Sequence, residues 1–311
     1  MSKPFRLHPL RFHFVANESI HFAQGKSANV LRGAFGTIFR RIACAPQCPG
    51  VRECDIRSSC PYARLFEPSL LAGGPSGLAD WPRPFVFRAM HLDGVTFSPG
   101  SSFHFDLNLF GVDPPVLAYF VLTFAQLASE GLGPGRRKVD LVSAEQLDGS
   151  GQCSAIVYDK TRPTPLQSIP PLEVSLAPPG EPVARVQVQF VTPTELKSGH
   201  QIATRPEFGI LAARIRDRIS TLSALYGPGP LEIDFRAFGE RANLIRMTRC
   251  GLRHVNSERR SSRTGQVHSV GGFVGEAEYE GDLTEFVPYL RVAKWTGVGR
   301  QTVWGKGEIS S

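Results

Sequence analysis

An order of strand, helix, strand, strand, helix, strand can be read twice along this 311-residue chain. In the first half, Leu10, Phe12 and Phe14 alternate with Arg11 and His13, which predicts a half-buried strand. A helix is expected over about 27–43, where Ser27 suits the cap and Leu31, Phe35, Phe39 and Ile42 recur at helical spacing. Gly33 and Gly36 inside it cost about 1 kcal/mol each against alanine. Close approach of a strand or a ligand backbone would account for them. Strands over 85–91 and 103–110 follow. A helix from Pro114 to Ser129, stopped by Gly131, leads to a strand over 139–142.

The second half repeats the order. Val186, Val188 and Phe190 alternate with Arg185, Gln187 and Gln189. A helix starting at Pro206 carries Phe208, Leu211, Ile215, Ile219 and Leu222 on one face and ends at Gly227. Strands are expected over 231–238 and 273–279, then a short helix over 282–290 and a last strand over 302–309. Between the halves, residues 161–182 hold seven prolines, which suit neither helix interiors nor central strands. The expected class is therefore α+β, with tandem ferredoxin-like (RRM-like) domains and a C-terminal glycine-rich loop. The expected boundaries are 1–160 with a cysteine-rich insertion at 44–60, a linker at 161–182, and 183–311. Many RNA-binding proteins use such a sheet as a platform, but fold alone assigns no function.

Charge narrows the field of ligands. The net charge is +7, and 41% of residues are hydrophobic, as in ordinary globular chains. From Arg241 to Val270 there are seven arginines against one acid, Glu258. That excess suits a polyanion, because neutralised phosphates release counterions. No apolar run approaches the roughly 18 residues of a membrane span. The N-terminal residues carry charge where a signal peptide would be apolar, so a cytoplasmic location and no membrane partner are expected.

Four of the six cysteines cluster as Cys44, Cys48, Cys54 and Cys60. Disulfides are not expected in a cytoplasmic protein. Four thiolates in one small loop point to a structural zinc site, with an iron–sulfur cluster or free thiols as the alternatives. Four protein ligands leave no open position, so no catalytic metal is expected there. Cys153 and Cys250 stand alone and read as buried small residues.

The last residues run Gly297-Val-Gly299-Arg-Gln-Thr-Val-Trp-Gly305-Lys-Gly307. This run resembles the glycine-rich loop that closes proteins of the RAMP superfamily. Three further stretches resemble the CRISPR endoribonuclease that cuts the repeats of precursor guide RNA. They are 190–197, 29–36, and 259–272 with the following Phe273-Val-Gly275. The resemblance implies attack of the RNA's own 2′-OH on the neighbouring phosphate, without a catalytic metal. The products would be a 2′,3′-cyclic phosphate and a 5′-OH. It implies CRISPR repeat RNA or guide RNA as partner, with other CRISPR effector subunits as further candidates, and DNA is not expected.

Such a cleavage needs a base, an acid and a cation for the charged phosphorane. The family usually places a histidine in or just after the first helix, and this chain has none between His21 and His91. The catalytic candidates are His21 by position, and His254 and His268 by their arginine-rich surroundings. His13, His91 and His104 fall in predicted strands and read as platform or packing residues. The RNA-binding candidates are Arg32, Arg40, Arg259, Arg260, Arg263, Arg300 and Lys306, with Gly297, Gly299, Gly305 and Gly307 shaping a loop whose N–H groups could form an anion nest. The alternative function is a non-catalytic RAMP subunit that binds RNA in a CRISPR effector complex.

Overall fold

The alternation of residues 5–16 becomes the long strand β1 (Phe5–Ala16), whose even-numbered residues Leu10, Phe12 and Phe14 are buried. The computed structural model describes residues 3–70, 80–112, 114–133, 135–162, 169–256, 258–260, 267–269 and 271–311. They form two units, Arg6–Leu172 and Glu173–Ser311, the second also taking residues 1–5.

The first unit continues with α1 (Ser27–Ala43), α2 (Pro61–Phe66), β2 (Phe85–Arg88), β3 (Ser102–Phe110), α3 (Pro114–Glu130), β4 (Val139–Leu147) and β5 (Cys153–Asp159). The strands pair antiparallel in the order β2-β3-β1-β4-β5. Phe12 lies opposite Phe105 and Phe14 opposite Phe103, so one face of the sheet is a ladder of aromatic rings. Against that face pack Phe35 of α1 and Phe120 and Phe124 of α3, with Phe12 to Phe124 at 4.5 Å and Phe35 to Phe120 at 4.9 Å.

The second unit holds β6 (Arg185–Thr194), α4 (Phe208–Tyr226), α5 (Phe235–Ala242), β7 (Arg246–Val255), β8 (Gly272–Glu280), α6 (Val287–Thr296) and β9 (Ile309–Ser310). Its sheet runs β7-β8-β6-β9. Taking each unit's four core strands in chain order, both sheets read second-third-first-fourth, the ferredoxin-like arrangement. Phe208, Leu211, Ile215, Ile219 and Leu222 of α4 are buried, as their spacing predicts.

Several elements differ from the sequence expectation. Residues 231–238 do not form a strand. Asp234 accepts hydrogen bonds from the N–H groups of Arg236 and Ala237 and so starts α5. The missing strand comes from the arginine-rich segment itself, as β7. The helix expected over 282–290 starts later, with Pro288 in its first turn, and residues 302–304 make a 3₁₀ turn instead of a strand. In α1 the buried face uses Ile38, and Ile42 is exposed. Strand β5 is an addition that the sequence pattern does not predict.

Candidate nucleic-acid interface

The closing loop is held by the backbone of the segment it crosses. Gly297, Gly299, Gly305 and Gly307 all have positive φ, between 68° and 81°. A Cβ on Gly307 would stand 1.9 Å from the Val298 carbonyl oxygen, and one on Gly299 would stand 2.3 Å from that of Glu195. The N–H of Arg300 donates to Glu195 O, that of Gly307 to Pro193 O, and that of Val298 to Gly307 O. These N–H groups are spent on the protein itself and are not turned outward as an anion nest.

The loop's two cations differ sharply. Arg300 is half exposed and forms an ion pair with Glu195. Lys306 is 5% exposed, and its Nζ donates to Gly271 O at 2.5 Å and to Gln301 Oε1 at 3.1 Å. Burial lowers its pKa to about 8, with Glu195 working in the opposite direction. Lys306 therefore ties the loop to the start of β8, and Arg300 is the more exposed of the two.

The outward face of the second sheet is a lattice of opposite charges. Arg249 of β7 reaches Glu276 at 3.1 Å and Glu278 at 3.4 Å on β8. Arg246 and Arg185 share Glu280. Gln187 Nε2 donates to Glu276 at 2.6 Å. Three glutamates of β8 thus offset three arginines, two of which, Arg246 and Arg249, belong to the excess counted over 241–270. Exposed cations continue along β7 to Arg253, beside exposed His254. Beyond it, Glu258–Arg260 pairs with Val267–Ser269, which sets Arg259 opposite His268 and Arg260 opposite Val267. Only the backbone of this hairpin is described, and Arg263 lies outside the described residues.

In the first unit, Arg32 of α1 lies over the Phe66 ring of α2, 5.4 Å from its centroid. Arg40 is exposed. His21 is exposed, with Nδ1 2.9 Å from Thr96 Oγ1, a contact that orients the ring.

One cluster was not singled out by sequence. On the outward face of β1 and β3, Arg11 donates two hydrogen bonds to Asp106, at 2.7 and 2.9 Å. The rings of His13 and His104 are 5.8 Å apart, and His91 stacks on His104 at 4.6 Å. His91 Nε2 donates to the His104 carbonyl at 2.8 Å. His13 Nε2 stands 3.3 Å from Glu145 Oε2, near enough for an ion pair when protonated but not aligned as a hydrogen bond. Burial, then the charges of His91 and Arg11, hold His104 below the usual histidine range. The period-two alternation of Arg11 with His13 and of His104 with Asp106 is the signal that could have revealed this shared face.

The four cysteines of 44–60 lie in the loop joining α1 to α2. The Cys44 thiol is within hydrogen-bonding reach of Cys48 and Cys60. Burial first, then those neighbouring thiols, pushes it up to about 12, so it is not a poised nucleophile. Cys153 and Cys250, read from sequence as buried, are exposed.

Two family models divide the chain along its two units. The model AF_1859_N, an N-terminal domain, matches residues 5–171. The model of CRISPR-associated endoribonuclease Cas6 matches residues 188–309, from β6 through the closing loop to β9. The Cas6 match covers the second unit, and the AF_1859_N match covers the first. Thermus thermophilus Cas6 has the same fold, with a TM-score of 0.55 at 15% identity over 99% of this chain and 98% of that one. A Cas6 product complex gives 0.55 at 16% identity over 97% and 98%. A partial Cas6-RT-Cas1–Cas2 complex gives 0.56 at 12% identity, covering 99% of this chain but 46% of that one. No curated protein matches the chain in sequence. Among the described residues, no helix is long and apolar enough to cross a membrane.

Proposed function

We propose that this protein acts as a Cas6 endoribonuclease and cleaves CRISPR repeat RNA to mature guide RNA. The observation that carries the reading is the Cas6 endoribonuclease match over 188–309, which takes in nearly all of the second sheet and the loop that closes it. The reaction is attack of a 2′-OH on the adjacent phosphate, leaving a 2′,3′-cyclic phosphate and a 5′-OH. No metal takes part in the chemistry. Arg32, Arg40, Arg300 and the hairpin arginines Arg259, Arg260 and Arg263 hold phosphates. Among the catalytic candidates His21, His254 and His268, His21 comes first, because its ring is oriented by Thr96 and it stands six residues before α1. Other CRISPR proteins are the expected protein partners, as in the Cas6-RT-Cas1–Cas2 complex whose fold it shares in part.

The test is incubation with the repeat RNA of its own locus, with EDTA added at the start, against RNAs carrying a single 2′-deoxy in turn. One cut, abolished by one 2′-deoxy and indifferent to EDTA, is the expected result. A second reading is a non-catalytic RNA-binding subunit, favoured by an α1 without histidine. Tight binding with no cut would establish it.

A further inference from the structure

Residues 44–60 have an unusual inside. Of these seventeen positions, only Cys44, Cys48, Gly50, Val51, Cys54 and Cys60 are not exposed to solvent. All four cysteines turn inward, and the arginines, acids, serines and even Ile56, at 66% exposure, turn outward. Val51 is the single buried aliphatic side chain, so the loop has almost no apolar core to hold it. Its backbone is a succession of short turns, with Cys48 N–H on Ala45 O, Glu53 N–H on Gly50 O and Arg57 N–H on Cys54 O.

The ends of the loop are fixed where the cysteines sit. Cys44 caps the C-terminus of α1 and Cys60 the N-terminus of α2. Cys48 and Cys60 are the neighbouring thiols that act on Cys44. Among the described residues no group of three or more His, Cys, Asp or Glu side chains is arranged to hold a metal ion. Binding therefore requires the turns to draw the four thiols together, in a segment with little packing to oppose it. Free thiols gathered in this way gain nothing from each other, whereas thiolates gain much from a soft cation.

We propose that Cys44, Cys48, Cys54 and Cys60 bind one zinc ion as a closed four-sulfur site. The ion replaces the missing core of the loop and clamps α2 to α1. With four protein ligands it has no position for substrate, so its part is structural. What it secures is the seat of Phe66, which stacks on Phe35 at 5.6 Å and lies under the Arg32 guanidinium.

The test uses the full chain as purified. Elemental analysis is expected to give one zinc per chain, and a Co(II)-substituted sample is expected to show thiolate-to-cobalt charge-transfer absorption. Cys44→Ser and Cys60→Ser lose the metal, and Cys153→Ser and Cys250→Ser keep it. Because the first two can fail to fold, thiol reactivity of the wild type supplies a second reading. The exposed Cys153 and Cys250 react at once, and the other four only after prolonged treatment with a zinc chelator. A metal-free chain that takes up neither zinc nor cobalt overturns the proposal. So does iron with acid-labile sulfide, or thiols that react only after reduction, which would mean a disulfide.

Discussion

Lys306 donates to the carbonyl of Gly271, 35 residues earlier in the chain, at 2.5 Å. One buried ammonium thereby joins the closing loop to the root of β8. Its pKa is lowered from 10.5 to about 8, chiefly by burial. Between those values the unfolded chain binds the proton more readily than the folded one, so stability rises with pH there and is lost as pH falls through about 8. Urea denaturation of the full chain, compared with Lys306→Met, is expected to show the wild type gaining on the variant as pH rises across that window. Parallel pH curves would show that the ammonium is not buried.

The glutamates of β8 decide how the arginines of the second sheet meet RNA. Each phosphate contact with a single strand contributes about 0.7 to the slope of log affinity against log salt. Arg249 is held by Glu276 and Glu278, so Arg249→Ala is expected to change that slope by clearly less than a full contact. Arg253→Ala, further along the same strand, is expected to remove close to a full contact. Binding titrations of repeat RNA across a salt series check both, and equal slopes for the two variants would remove the lattice from the argument.

Why some of this was legible and some not follows from where the information lies. Strand β1 and helices α1, α3 and α4 could be read because their buried residues keep one period along their own segment. Residues 231–238 misled because Leu231, Ile233 and Phe235 alternate like a strand. The helix there depends on the Asp234 cap and on Phe238 packing against Phe286 and Tyr289, at 4.9 and 5.0 Å. The start of α1 is likewise set from a distance, since Ser27 N–H donates to Asp93 Oδ1, 66 residues away. At the interface, the arginines were visible by count, but their neutralising glutamates sit on the next strand, just past the stretch that was counted. A lysine flanked by glycines reads as exposed, and nothing local shows that Lys306 is buried.

The two glycines of α1 have opposite reasons to be there. A Cβ on Gly36 would stand 2.7 Å from Cε1 of Phe66, whereas one on Gly33 would meet nothing within 4 Å. Gly36→Ala must displace a buried ring stacked on Phe35 and Tyr62, which costs about 1–3 kcal/mol. Gly33→Ala instead recovers helix propensity worth up to about 1 kcal/mol. Denaturation midpoints of the two variants are expected to move in opposite directions. A neutral Gly36→Ala would mean that α2 does not press on α1 as described.

His21 and the His13–His91–His104 face make separable predictions. If His21 is the group that moves a proton at the 2′-OH or the 5′-oxygen, His21→Ala should slow single-turnover cleavage by about a hundredfold and leave RNA affinity near the wild-type value. Thr96→Val removes the hydroxyl that orients the ring and should slow the same step less, again with affinity unchanged. His104 behaves otherwise. Burial lowers its pKa, so it is mostly neutral at neutral pH and takes up a proton only as pH falls below the usual histidine range. His104→Gln is then expected to leave the cleavage rate at pH 7 within a few-fold of wild type, because the ring is stacked on His91 and not poised as a base. A hundredfold loss in His104→Gln, with His21→Ala unaffected, would move the chemistry from the edge of α1 to the outward face of the first sheet.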